Sequence, residues 1–183
     1  SLEEVKKNLE GYQDGVREVL KRSSEGVMGT VSEIVDTEPR YESAVGAALG
    51  EKLQYVVVKS HQEGVEAVEY LKQAAKGRSS FVPMQMRNST AEMTTVSGPG
   101  VIGPMMDVVR FSDDYRSIAQ YLFGDVILVE DLRRALDLWQ GQGPSRTYVT
   151  LDGEVVDEYG VVSGGSGGDH SETLLGHKRR MEE

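Results

Sequence analysis

The sequence predicts an α/β fold of two related subdomains, flanked by a helix at each end. Three observations carry this expectation. The middle of the chain repeats one plan, helix, glycine, buried strand, capped helix, glycine, strand. The first 22 residues place apolar side chains at the spacing of a coiled-coil seam. The last stretch, from about Ser171 to Glu183, is helix-prone and rich in charge.

The N-terminal stripe is Leu2, Val5, Leu9, Tyr12, Val16 and Val19, spaced 3, 4, 3, 4, 3. That is a heptad a/d pattern and predicts a helix over 1–22. Gly11 and Gly15 weaken it by about 1 kcal/mol each. At the other end, Leu174 and Met181 are seven apart and the chain closes Lys178-Arg179-Arg180-Met181-Glu182-Glu183. Two such helices, 1–22 and 169–183, are expected to lie together as the root of an antiparallel coiled coil. The body between them, 23–168, divides into subdomains of about 23–100 and 101–168.

Within the first half, Pro39 to Leu53 is helical in pattern and leads into the strand Tyr55–Val58. Ser60-His61-Gln62-Glu63 forms a capping box, because a serine hydroxyl and a glutamate three residues on satisfy two free amides. The helix it opens carries Val65, Val68 and Leu71 on one face and stops near Gly77. A strand Ser79–Val82 follows, closed by Pro83. Residues 84–104 are polar and interspersed with Met, Gly and Pro, the composition of a loop with at most a short strand.

The second half follows the same order. Tyr115 to Phe123 is helical and ends at Gly124, Val126–Val129 is a strand, and Asp131 caps a helix with Leu132, Ala135, Leu136 and Trp139. Gly141 and Gly143 end that helix before a strand Arg146–Leu151. Side by side, Gly50 and Tyr55–Val58 match Gly124 and Val126–Val129. Likewise Phe81-Val82 matches Tyr148-Val149, the signature of an internal duplication.

Composition removes several classes of function. With no cysteine, disulfides, thiolate metal sites and cysteine nucleophiles are excluded. A cysteine-free chain fits a reducing cytoplasm. The longest apolar runs, Tyr55–Val58 and Val126–Val129, fall far short of a bilayer span, and the charged N-terminus lacks a signal-peptide pattern. Net charge is −10, which argues against a surface that coats nucleic acid. The charge is uneven: residues 1–22 and 178–183 hold 8 Lys/Arg against 7 Asp/Glu, and residues 23–177 hold 12 against 23.

Candidate chemistry is thin. Gly98-Pro99-Gly100-Val101-Ile102-Gly103 matches G-x-G-x-x-G in form, the basis of an alternative reading as a small nucleotide-binding enzyme. A dinucleotide fingerprint needs a buried strand before it and a helix opening within it. Here Ala91–Val96 is a polar lead-in and Pro99 removes an amide. No G-x-x-x-x-G-K-[ST] is present, so the chain has no P-loop. His61, His170 and His177 do not share metal-ligand spacing, and no metal or other cofactor is expected. Asp113-Asp114 and Glu130-Asp131 stand at helix starts, where negative charge offsets the helix dipole.

The most informative stretch is Leu151 to Gly165. Gly153 suits the turn of a hairpin, Val155-Val156 and then Val161-Val162 are strand formers beside it, and Gly160 and Gly164-Gly165 interrupt them. Glycines embedded in strand-forming residues mark places where φ is positive or another backbone comes close. An edge built for strand addition has this composition.

These residues resemble the hinge domain of SMC (structural maintenance of chromosomes) proteins of the bacterial type. Gly153-x6-Gly160-x3-Gly164-Gly165 is the hinge glycine signature. Gly26-Val27-Met28-Gly29-Thr30-Val31 matches the hinge entry, and Ala44 through Val58 matches the first subdomain. Arg78–Pro83 and Thr147–Gly153 match later landmarks. The resemblance covers about residues 23–168. It implies two subdomains inserted at the middle of a long coiled coil, and a homodimer in which the first subdomain of one copy meets the second of the other. Strands join across each contact, with Gly153, Gly160, Gly164 and Gly165 at the interface. ATPase heads are implied at the far end of the coiled coil, outside this stretch. The resemblance further implies weak, salt-sensitive DNA binding at the hinge–coil junction, for which Lys178, Arg179, Arg180, Lys21 and Arg22 are the candidates. It also implies a cytoplasmic, nucleoid-associated setting. A third reading is a DNA-binding module whose pairing is incidental.

Overall fold

A computed structural model describes residues 9–22, 24–88, 95–141, 145–166 and 170–183. Leu2, Val5, Gly143, Gly167 and Gly168 lie outside the described residues. No helix among the described residues is long and apolar enough to cross a membrane.

The N-terminal segment departs from the expected continuous helix. A turn at Leu9–Gly11 precedes the helix α1 (Asp14–Arg22), and Gly11 takes φ +91. Tyr12, Val16 and Val19 are buried in the core of this same chain. A 3,4 stripe fits a partner helix or the chain's own core equally well; here the core takes it. Gly15 is the close-contact point, since a Cβ there would fall 2.0 Å from the carbonyl oxygen of Arg78. The glycine that weakens the helix therefore lets it sit on the backbone just before Phe81.

The first half builds a three-stranded sheet. Its strands are β1 (Val27–Thr30), β3 (Val56–Val58) and β4 (Phe81–Pro83), in the order β1-β3-β4. β1 runs antiparallel and β4 parallel to the central β3. Between β1 and β3 come the short helix α2 (Val31–Ile34), the two-residue strand β2 (Asp36–Thr37) and the helix α3 (Glu42–Leu49), which a 3-10 turn carries on to Gln54. Helix α4 (His61–Ala74) crosses from β3 to β4. As expected, the Ser60 hydroxyl caps it, accepting from the Gln62 amide at 3.3 Å. Its buried face is Gly64, Ala67 and Leu71, while Val65 and Val68 are 53% and 44% exposed. The missing side chain of Gly64 rolls the helix toward Phe81, which turns the two valines outward.

The second half repeats the topology and extends it. β5 (Val101–Pro104), β7 (Val126–Val129) and β8 (Thr147–Thr150) reproduce β1-β3-β4, antiparallel then parallel. The ladders even shift register at equivalent points, Val27/Gly29 and Val101/Gly103. Helix α5 (Arg116–Phe123) corresponds to α3, and α6 (Leu132–Gln140), capped by Asp131 on the Arg134 amide at 2.8 Å, corresponds to α4. The central strands β3 and β7 are buried along their whole length, as strands covered on both faces are. Two short strands, β9 (Val155–Val156) and β10 (Val162–Ser163), widen this sheet to β10-β9-β8-β7-β5.

The halves are stitched by β2 and β6 (Val109–Arg110), which pair antiparallel through Asp36↔Arg110 and Thr37↔Val109. The Thr37 hydroxyl adds a hydrogen bond to the carbonyl of Val108 at 2.7 Å. One large apolar cluster runs from Val16 through β3 to Phe123 and Val149. A smaller one, around Ile127, Tyr148 and Val156, lies under α6. The C-terminal helix α7 (His170–Glu182) packs on α3 and its 3-10 extension, burying Leu174 and Leu175 and leaving Met181 39% exposed.

Candidate functional site

The glycine-rich hairpins at the end of the second sheet position four glycines for distinct reasons. Gly153 turns β8 into β9 with φ +83, its amide donating to the Thr150 carbonyl at 3.0 Å. A Cβ on it would lie 3.0 Å from the carbonyl oxygen of Ser43, so this turn rests on α3 of the first half. Gly160 turns β9 into β10 with φ +92, and a Cβ there would lie 2.6 Å from Trp139. The indole Nε1 of Trp139 donates to the carbonyl of Glu158 at 3.0 Å. Gly164 lies over Glu154, and Gly165, with φ +135, faces open space. Gly153 and Gly160 are thus accounted for by contacts within the chain, while Gly165 has no such contact.

β10 is an edge strand. The Asp157 amide donates to the Val161 carbonyl at 3.0 Å, and Val162 stands opposite Val156. In an antiparallel ladder the hydrogen-bonded and non-bonded pairs alternate. Val162 falls in a non-bonded pair, so its N–H and C=O point away from β9. The Asp157 carboxylate holds the turn by accepting from the amides of Tyr159 and Val161, each at 2.9 Å. Tyr159, Val161 and Val162 are 80%, 57% and 53% exposed. An unpaired backbone row beside exposed apolar side chains is a template for adding a strand.

A second free edge lies on β4. The Val56 amide donates to Ser80 at 2.9 Å and the Met84 amide to Val58 at 3.1 Å. Alternation along a parallel strand then turns the N–H and C=O of Phe81 outward. Pro83, which has no N–H to offer, stands on the same edge, where proline is tolerated.

The cations singled out in the sequence separate into two groups. The Lys178 ammonium donates to the carbonyls of Glu33 (3.1 Å) and Val35 (2.8 Å) and pairs with Asp36 Oδ1 at 2.9 Å. It caps the carbonyl end of α2 and fastens α7 beside the β2–β6 stitch. Arg179 pairs with Glu42 and, at 3.6 Å, with Glu183. Arg22 lies over the ring of Tyr70, 4.6 Å from its centroid. Lys21, Arg22 and Arg180 are exposed. Sequence spacing alone did not distinguish cations engaged by the fold from those facing solvent.

The root of the N-terminal segment is fixed by a buried hydroxyl cluster that the sequence reading missed. The Tyr12 hydroxyl meets Thr30 Oγ1 at 2.8 Å and Ser32 Oγ at 2.6 Å, and these two are 2.9 Å apart. Glu33 accepts from the Thr30 amide at 3.1 Å. Burial raises the Tyr12 pKa above the ordinary tyrosine value, although the Ser32 and Thr30 hydrogen bonds oppose this. Beside the cluster, a groove of about 510 Å³ opens between α2 and α7, lined by Leu9, Leu20, Leu174 and Met181 with Ser32 and His177.

The Gly98–Gly103 loop is not a phosphate cradle. Its glycines lead into the strand β5 and not into a helix, so no helix opens within the turn as a dinucleotide fingerprint requires. Gly98 and Gly100 instead leave room for the side chain of Arg134.

The family model described as SMC proteins Flexible Hinge Domain matches residues 24–139. The chromosome partition protein Smc of Myxococcus xanthus is 37% identical over 190 residues, covering 100% of this chain and 16% of its own length. The Smc of Bacillus subtilis is 36% identical over 190 residues with the same coverage. The chain therefore spans about a sixth of the length of these curated relatives. Among solved structures, an asymmetric dimer of the Geobacillus stearothermophilus SMC hinge domain matches with a TM-score of 0.83 at 32% identity. That match covers 99% of this chain and 75% of the other. The Pyrococcus furiosus SMC hinge domain shares the fold, with a TM-score of 0.68 at 22% identity and 88% of each chain covered.

Proposed function

The chain belongs to the family of SMC flexible hinge domains, and from that membership we propose that it is the dimerisation hinge of a chromosome-partitioning SMC protein. In this role it joins two coiled-coil arms, and its function is mechanical rather than catalytic. ATP hydrolysis belongs to head domains elsewhere in the full protein, acting on the chromosome in the nucleoid.

The free edge of β10 carries the reading. Val162 directs its N–H and C=O outward beside exposed Tyr159 and Val161, and Phe81 does the same on β4. Two copies related by a two-fold axis bring β10 of each onto β4 of the other and close two equivalent contacts. The related hinge from Geobacillus stearothermophilus, solved as an asymmetric dimer, supports dimerisation.

The test is Val162→Lys, a charge placed where natural edge strands carry one to block pairing. Light scattering is expected to find wild-type dimer and folded variant monomer. A Val162→Lys chain that remains dimeric would remove β10 from the interface.

Weak DNA contact at the arm root completes the proposal. Lys21, Arg22 and Arg180 are the exposed cations there, whereas Lys178 and Arg179 serve the fold first. Contact of this kind rests on phosphate neutralisation and falls with salt.

A further inference from the structure

The two edges assigned to the dimer carry opposite charge. From Lys72 to Arg87 the chain holds four cations, Lys72, Lys76, Arg78 and Arg87, and no acid. All four are exposed, and Lys76, Arg78 and Arg87 flank β4 at its two ends. From Leu151 to Ser166 it holds four acids, Asp152, Glu154, Asp157 and Glu158, and no cation. In a chain of net charge −10, an acid-free stretch ending on a free strand edge stands apart from the rest of the surface.

The remaining edges lack this match. β1 is broken by its register shift and flanked by exposed Glu25 and Glu33, which would repel an acidic hairpin. β5 carries a register shift, and residues 95–109 around it hold no cation to meet an acidic hairpin. Two β10 edges brought together would set four acids against four. Among the described edges of the two larger sheets, β4 combines outward backbone groups with exposed cations from an acid-free run of sequence, and the acid that comes near it is Asp14 of α1, beside Gly77.

We propose that this charge sorting selects the partner surface: the basic rim of β4 recognises the acidic β8–β10 hairpins of a second copy, and like edges are kept apart. The inference rests on the hinge dimer proposed above and adds what specifies its pairing. Opposed rims steer association and suppress wrong partners, and exposed charges of this kind are screened within about 10 Å at 0.1 M salt.

The experiment uses the whole chain in three charge variants, Lys76→Glu/Arg78→Glu, Asp152→Lys/Glu158→Lys, and the four changes combined. Each double variant alone is expected to raise the dimer Kd about tenfold or more, because opposed charges become like charges across both contacts. Mixing the two double variants restores wild-type affinity as a heterodimer, and the quadruple variant restores it as a homodimer. That recovery also shows that the substitutions leave the fold intact. Wild-type Kd rises about tenfold between roughly 0.05 and 0.5 M salt.

Double variants that dimerise like wild type would overturn the sorting while leaving the dimer itself in place. Loss of retention on duplex DNA by Lys76→Glu/Arg78→Glu, with unchanged dimer affinity, would assign the basic rim to nucleic acid and overturn the proposal. A wild-type chain that stays monomeric at about 100 μM would overturn the dimer on which it rests.

Discussion

Gly160 leaves the space that Trp139 fills: a Cβ on the glycine would stand 2.6 Å from the indole Cζ2, and the indole nitrogen closes the same turn onto the Glu158 carbonyl. The chain's single tryptophan thereby braces the hairpin that presents β10. Gly160→Ala must move the ring and adopt φ +92, and is expected to cost about 1–3 kcal/mol. Urea unfolding followed by tryptophan fluorescence reads both the loss of stability and the displaced indole.

Tyr12→Phe removes the hydroxyl shared by Thr30 and Ser32 and should cost about 1–2 kcal/mol, since buried partners lose a hydrogen bond. The same tyrosine gives a pH dependence. Burial holds its folded pKa above the unfolded value near 10.0, as it does for Tyr148. Above that pH the unfolded chain has released protons that the folded chain keeps, so stability is full below it and falls as pH rises. Thermal melts across pH 8 to about 11 are expected to show a shallower alkaline decline for Tyr12→Phe than for wild type.

Lys178→Met should release the arm helix from the body. The ammonium serves two carbonyls and Asp36, and losing it leaves those acceptors without their cation at a cost of about 1–3 kcal/mol. Hydrogen exchange is expected to speed up along Glu33–Thr37 and in α7, with the second sheet unchanged.

Arg180→Glu with Lys21→Glu should weaken retention on DNA and flatten its salt dependence, leaving the dimer unaltered. Electrophoretic mobility at two salt concentrations measures it. Unchanged retention would place any DNA contact elsewhere.

Much of this architecture was legible in the sequence because local chemistry and tertiary role coincide. Ser60 and Asp131 cap the helices their side chains predict, and the apolar runs Val56–Val58 and Val126–Val129 are central strands. The duplication was visible because both halves use the same order of glycine, strand and cap. What escaped has physical reasons. The 3,4 stripe through Tyr12, Val16 and Val19 says that one face is buried but not against what. Val65 and Val68 looked like core because apolar spacing carries no information about Gly64, whose close approach to Phe81 sets the helix rotation. The strands β2 and β6 are two residues long and exist only by pairing across the halves. The glycine cluster was recognisable as a set, but which glycines serve the chain's own turns and which leave a surface open depended on Ser43 and Trp139, distant in sequence.

The most decisive measurement is inter-chain cross-linking at the two free edges. The chain has no cysteine, so Ser80→Cys beside β4 and Ser163→Cys on β10 supply single reactive positions, both exposed. Mixed after refolding and treated with a short bismaleimide, the two variants are predicted to give a covalent heterodimer, while each alone stays uncross-linked. Efficient cross-linking of Ser163→Cys to itself, or no cross-link in a mixture that sediments as monomer, would contradict the pairing of β10 with β4.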